Sequence, residues 1–227
     1  MTINIPYGVS ALKLFLPENR LLGILQNKRE PAKSISKLVL KALREKGVPF
    51  RKKKVLIVVP DATRSGHLKE ILHVLLEKIS IPSRSVDIII ATGLHKKHTP
   101  DQLQRLLGFP ILKRYRILQH DPYGKSCVYF GKTKYDVPAT LDKRVLDYDF
   151  IISIGVIAPH LYAGYSGGAK TIAIGLAGEA TINATHGIKF LDDTATKIGS
   201  LEGNHFQEML WHIIENISPV FSINTVN

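Results

Sequence analysis

Residues 150–171 read FIISIGVIAPHLYAGYSGGAKT, and the fold is decided by how this stretch is read. Phe150 to Ile157 is an apolar run of strand length, the pattern of a strand buried on both faces. Pro159 ends it, His160 follows, and Gly164, Ser166, Gly167 and Gly168 lead to Lys170. Glycines let a backbone turn sharply and approach a ligand closely. Successive N–H groups in such a turn form a concavity suited to anions. A lysine beside it serves as a cation or, when desolvated, as a nucleophile. Sixteen residues further on stands His186, followed by Gly187. A loop at a strand end therefore brings His160, Lys170 and His186 near one another, and in an open α/β sheet that is the usual place for a ligand.

Upstream, the same grammar repeats. Lys54 to Val59 reads as a buried strand ending at Pro60-Asp61-Ala62-Thr63-Arg64. Val86 to Ala91 is another, ending at Thr92-Gly93-Leu94-His95, and Arg116 to Leu118 is a short one ending at His120-Asp121. Between them, residues 33–46 and 67–79 carry apolar side chains at helical spacing. Gly47 is placed to end the first of these helices, and Thr99-Pro100-Asp101 opens a further one. Residues 2–25 alternate weakly around Pro6-Tyr7-Gly8 and Pro17-Glu18-Asn19 and predict short strands joined by turns. Pro219 to Asn224 starts one more strand. The fold expected is α/β: a doubly wound, mainly parallel sheet flanked by helices, with a short N-terminal β segment, in one domain over residues 1–227. Strand ends of a parallel sheet share one edge, so Asp61, Arg64, His95, His120, Asp121, His160 and Lys170 are expected to converge on one pocket.

Composition narrows the function. The chain has 227 residues, a net charge of +12 and a pI near 9.7. Such a balance reads first as a solvated basic surface, and second as attraction to phosphate or carboxylate ligands, or to nucleic acid. The basic clusters at residues 51–54, Lys96-Lys97 and Lys113-Arg114-Arg116 are not interleaved with aromatics, so nucleic acid is not the expected partner. One cysteine, Cys127, excludes an internal disulfide framework and fits a reducing, cytoplasmic setting. No apolar run approaches the ~18 residues of a membrane span.

Each candidate also has a structural reading. Asp61 serves either to cap the next helix or to contact a ligand, and Arg64 suits a carboxylate or a phosphate. His95 fits either a surface position or a site. His186 fits a helix end or a ligand position. His120-Asp121 reads as a turn, and His98 as a solvated loop residue. A nucleotide-hydrolase phosphate loop needs G-x-x-x-x-G-K-[ST], but residues 164–171 read GYSGGAKT, with Ala169 where the second glycine should stand.

Taken together, Asp61-Ala62-Thr63-Arg64, Gly93-Leu94-His95, His120-Asp121, Pro159-His160, the run Ala163 to Lys170, Gly175-Leu176-Ala177-Gly178 and His186 resemble the nickel-pincer lactate racemase family. The match in order and spacing runs along nearly the whole chain. The resemblance implies the cofactor-binding N-terminal domain of a two-domain enzyme, with the C-terminal domain absent. It implies a racemase or epimerase of 2-hydroxy acids working by hydride abstraction and return. The implied cofactor is a nickel-pincer nucleotide, a pyridinium-3,5-bisthiocarboxylate mononucleotide bound covalently through Lys170. His186 would ligate nickel, His95 and His160 would be the acid–base pair, and Asp61, Ala62, Thr63 and Arg64 would contact the cofactor or the substrate carboxylate. Histidine suits proton transfer in both directions near neutral pH. The alternative is a module that holds the cofactor or another phosphate ligand without turnover.

Overall fold

The computed structural model describes residues 1–7, 10–17, 19, 34–47, 53–64, 66–78, 82–215 and 217–226. The chain forms two compact units, Met1–Lys33 and Ser34–Asn227. In the first, β1 (Thr2–Tyr7) and β2 (Ser10–Phe15) pair antiparallel, with Ile3 opposite Leu14 and Ile5 opposite Leu12. This is the short N-terminal β segment that the alternation predicts. Most of the expected turn and strand over residues 17–25 lies outside the described residues, as do residues 51 and 52 of the first basic cluster.

The second unit is the α/β domain. Its helices and strands run α1 (Ile35–Glu45), β3 (Val55–Pro60), α2 (Leu68–His73, continued by a wider turn to Lys78), β4 (Val86–Ala91), α3 (Pro100–Leu107), α4 (Phe109–Arg114) and β5 (Arg116–Gln119). There follow β6 (Cys127–Lys132), β7 (Pro138–Asp142), β8 (Phe150–Ile157), β9 (Pro159–His160), β10 (Gly164–Tyr165), α5 (Lys170–Ala173), α6 (Glu179–Thr185), α7 (Ile188–Leu191), α8 (His205–Ile214) and β11 (Val220–Val226). Helix starts follow local chemistry. Ser34 accepts the N–H of Lys37 at α1, and Thr99 and Gln102 form a reciprocal capping box ahead of Pro100 at α3.

The main sheet has the order β11-β8-β3-β4-β5 with every neighbouring pair parallel. Its first strand therefore lies in the middle and the order reverses between β3 and β8, the switch point of a doubly wound sheet. Pairing of β3 with β8 runs from Val55–Phe150 to Val58–Ser153, so the strands part before their C-terminal ends. Period-2 alternation feeds two cores. Leu56, Val58, Ile89 and Ile151 face α5, α6, α7 and α8, while Val55, Ile57, Ile88 and Ile152 face α1, α2 and α3. All eight are fully buried, each contributing about 1.5–3 kcal/mol over exposure. Such double coverage explains the unbroken apolar runs. The β6–β7 hairpin is not among the expected elements; its apolar run, Cys127 to Phe130, is only four residues long, and most of its side chains are half-buried. Among the described residues, no helix is long and apolar enough to cross a membrane.

Candidate active site at the sheet switch point

After β3 the chain makes a tight polar turn. The Asp61 carboxylate accepts the Thr63 N–H (3.0 Å) and the Thr63 hydroxyl (2.5 Å), and the Arg64 N–H donates to the Asp61 carbonyl (3.2 Å). Asp61 therefore does not cap α2, whose first turn begins six residues later at His67. Its second carboxylate oxygen lies 2.5 Å from His95 Nδ1. Burial alone would raise the Asp61 pKa, but the bonds from Thr63 and His95 outweigh it and hold the carboxylate below its ordinary range. An ionised carboxylate accepts only, so Nδ1 of His95 carries the proton and Nε2 keeps its lone pair. Asp61 is 4% exposed and the His95 side chain 60%, so the carboxylate is a fixed buried anchor and the ring is open to a ligand.

The loop after β8 is built from short-range bonds. Pro159–His160 pairs with Gly164–Tyr165 in a two-residue ladder, and Ser166 Oγ accepts the Ala158 N–H and donates to the Val156 carbonyl. His160 Nδ1 accepts the N–H groups of Tyr162 (3.3 Å) and Ala163 (3.2 Å). Its proton therefore sits on Nε2, the opposite tautomer to His95. Burial, with the charges of Lys170, His186 and Arg64 added, pulls His160 down to about 4. Lys170 opens α5 directly after the glycines. Burial, reinforced by the Arg64 guanidinium, brings its ammonium down to about 8.

His186 occupies both positions that its sequence setting left open. It is the C-cap of α6, its N–H bonding to the Ile182 carbonyl, and its ring lines the cavity. Nδ1 lies 3.1 Å from the Ile182 carbonyl and 2.9 Å from Thr185 Oγ. A carbonyl only accepts, so Nδ1 is protonated and Nε2 is free. Burial lowers the His186 pKa, which keeps that lone pair available. Its ring packs edge-on to Tyr162 (5.3 Å) and Phe206 (5.6 Å).

Asp61, Thr63, Arg64, His95, His160, Lys170 and His186 line one cavity of about 320 Å³ at the carboxyl ends of β3, β4 and β8. Ala62 does not line it; its backbone N–H donates to His98 Nε2 (3.1 Å). His98 is thus a support of the Asp61–Arg64 turn rather than a solvated loop residue. Its own backbone is held by Gln119, which accepts the His98 N–H (2.6 Å) and donates to the His98 carbonyl (3.1 Å). His120 and Asp121 do not reach the cavity, against the expectation that every strand end converges there. His120 is fully buried, between the Ala177 carbonyl (2.8 Å) and the Asp142 carboxylate (3.2 Å), and Asp121 pairs with Lys97. Asp142 also receives Arg144, and this buried cluster pins Gly175–Gly178, the link from α5 to α6. Missed by sequence reading were Tyr162 and Phe206, which wall His186, and Asn224, which bonds to the glycine loop.

The cavity can therefore do three things. Arg64 and Lys170 attract an anion. His95 accepts a proton at Nε2. His186 offers one neutral imidazole lone pair to a metal. Among the described residues no group of three or more His, Cys, Asp or Glu could hold a metal ion.

The model of the lactate racemase N-terminal domain matches residues 7–199. The chain belongs to that family. A lactate racemase of Thermoanaerobacterium thermosaccharolyticum is 29% identical over 237 residues, covering 99% of this chain and 56% of that protein. A lactate racemase of Lactiplantibacillus plantarum is 28% identical over 178 residues, 77% of this chain and 42% of its own length. The structure of the T. thermosaccharolyticum apoprotein superposes with a TM-score of 0.86 over 100% of this chain. A Thermotoga maritima protein of known structure, 21% identical over 84% of the chain, shares the fold with a TM-score of 0.70. As a lactate racemase N-terminal domain, the chain spans about half the length of the curated relatives it matches.

Proposed function

We propose that this domain binds a nickel-pincer nucleotide and takes part in racemising or epimerising a 2-hydroxy acid of the lactate type. One observation carries the reading: a single cavity at the switch point gathers His95, His160, Lys170, His186 and Arg64. Lys170, largely desolvated, is the attachment point, and His186 Nε2 is the protein's ligand to nickel. When bound, the cofactor supplies a hydride acceptor, so the substrate carbon need not pass through a carbanion.

The chain's own residues do the rest. Arg64 pairs with the substrate carboxylate, and its fork geometry fixes the acid's orientation. His95, oriented by the buried Asp61, takes the hydroxyl proton at Nε2. His160 presents Nε2–H to the cavity and hydrogen-bonds the same oxygen from the other wall. To exchange a full proton at Nε2 it must pass through the imidazolium, or its ring must let go of the Tyr162 and Ala163 N–H groups. Such a reaction has to exclude water, and the exposed His95 ring shows a site open on that side. We therefore propose that turnover needs the remaining segment found in the longer relatives.

Intact mass and metal analysis of the chain made alongside the cofactor-building enzymes tests the assignment. A covalent adduct on Lys170 and about one nickel per chain are expected. An unmodified mass under those conditions overturns it. Chiral chromatography on a panel of 2-hydroxy acids, with and without the remaining segment, then separates an enzyme domain from a module that only holds the cofactor.

A further inference from the structure

β11 lies beyond the stretch matched by the family model, yet one of its side chains reaches the loop that carries Lys170. Asn224 sits opposite Gly155 in the parallel register of β11 and β8. Its Oδ1 accepts the Gly168 N–H at 2.9 Å. The same oxygen accounts for two glycines. A Cβ on Gly155 would stand 2.5 Å from Asn224 Oδ1, and one on Gly167 would stand 2.7 Å from it, so either would push the amide out of its present place. Neighbouring strand and loop are thus hollowed out to let this amide in.

What it holds is the pivot of the loop. Gly167 and Gly168 both have positive φ, at +79° and +54°, a conformation that costs a glycine little. Their carbonyls accept the N–H groups of Lys170 (3.2 Å) and Thr171 (3.2 Å), which starts α5. With its N–H on Asn224 and its carbonyl on Thr171, the Gly168 residue is held at both ends. Asn224 does not itself line the cavity.

We infer that Asn224 is a positioning residue: by fixing the Gly168 N–H from the neighbouring strand, it sets the direction in which Lys170 enters the cavity. Its functional meaning rests on Lys170 as the attachment point, but the geometry and its test do not. The test uses the full chain without cofactor, so a failed nickel or adduct experiment leaves it readable.

Two measurements are made on N224L, which keeps the branched shape of the side chain but removes the acceptor, and on N224D, which keeps an acceptor oxygen. Amide hydrogen exchange is followed in peptides covering residues 166–171 and 220–226. Labelling of Lys170 by an amine-reactive reagent is followed against pH by mass spectrometry. In N224L, exchange at the glycine loop rises about tenfold while β11 keeps its protection. The Lys170 labelling midpoint, near 8 in the parent, moves up toward the ordinary lysine value, making labelling at pH 7 several-fold slower. In N224D the loop stays protected. Unchanged exchange and labelling in N224L overturn the inference. So does equal loosening in N224L and N224D, or loss of protection in β11 together with the loop, since either outcome makes Asn224 a packing residue only. Should N224L not fold, N224S, too short to reach Gly168, takes its place with the same expected outcome.

Discussion

Two glycines of the loop after β8 share a backbone conformation but not a neighbourhood, and replacing each by alanine separates the two costs. Gly164 has φ +69° and Gly168 φ +54°. For both, alanine brings the left-handed penalty of about 1–2 kcal/mol, partly offset by a stiffer unfolded chain, about 0.4–1 kcal/mol. Around Gly168 nothing lies within 4 Å of an added Cβ, so G168A should cost only about 1 kcal/mol. At Gly164 the added Cβ would lie 1.9 Å from the Ser200 carbonyl oxygen and 2.7 Å from its carbon. That is roughly 1.5 Å short of an ordinary contact, and the obstacle is backbone. Residues 199–200 must move, which strains the Gly199 N–H bond to the Gly164 carbonyl (3.0 Å) and the Asn204 bond to the Ser200 carbonyl (3.1 Å). Added to the same backbone cost of about 1 kcal/mol, overpacking of about 1–3 kcal/mol and two weakened hydrogen bonds of about 1 kcal/mol each bring the total for G164A to roughly 4–6 kcal/mol. At about 2–4 °C per kcal/mol for a chain of this size, thermal unfolding followed by circular dichroism should show a drop of a few degrees for G168A and roughly 10 °C or more for G164A. Equal drops would refute the reasoning, because the contact with Ser200 would then play no part.

Other outcomes follow from the ring nitrogens. Changing His186→Ala should abolish nickel retention while leaving the adduct on Lys170 possible; a variant that keeps nickel, read by metal analysis, would leave His186 as a helix cap alone. His160 titrates near 4 in the folded chain against about 6.5 when unfolded, so the unfolded chain binds more protons between those values. Stability should therefore fall as pH drops from 6.5 toward 4, and H160Q should flatten that slope in urea titrations run across the range. His98→Ala removes the acceptor for the Ala62 N–H and should cost about 1 kcal/mol, with faster exchange at Ala62 and little change at β8; unchanged exchange there would show that the turn stands without His98.

Much of the fold was legible because parallel strands covered on both faces read as uninterrupted apolar runs. Val55–Val59, Val86–Ala91 and Phe150–Ile157 could be placed, and with them the polar residues at their ends. That is why Asp61, His95, His160 and Lys170 could be named together before any geometry was known. Contacts between residues distant in sequence were not legible. His120 sits next to Asp121 and Pro122 and looks like a turn, but its partners Asp142 and Ala177 lie 22 and 57 residues away. His98 finds Ala62 across 36 residues, and Asn224 finds Gly168 across 56. Proton positions on the rings were equally hidden. Each is set by the atom facing Nδ1, which is a carboxylate for His95, two backbone N–H groups for His160, and a carbonyl for His186.

The early parting of β3 from β8, after Val58 and Ser153, gives the domain a seam. Asp61, Arg64 and His95 belong to the β3–β4 bank of that seam, and His160, Lys170 and the link to His186 belong to the β8–β11 bank. A small molecule lodged there meets His95 from one bank and His160 from the other. Most of the bonds that orient each imidazole stay within its own bank, so a slight spreading or narrowing of the seam would change the gap between the two rings without retuning either. On the proposed function, the width of that gap sets the girth of acid that fits between His95 and His160.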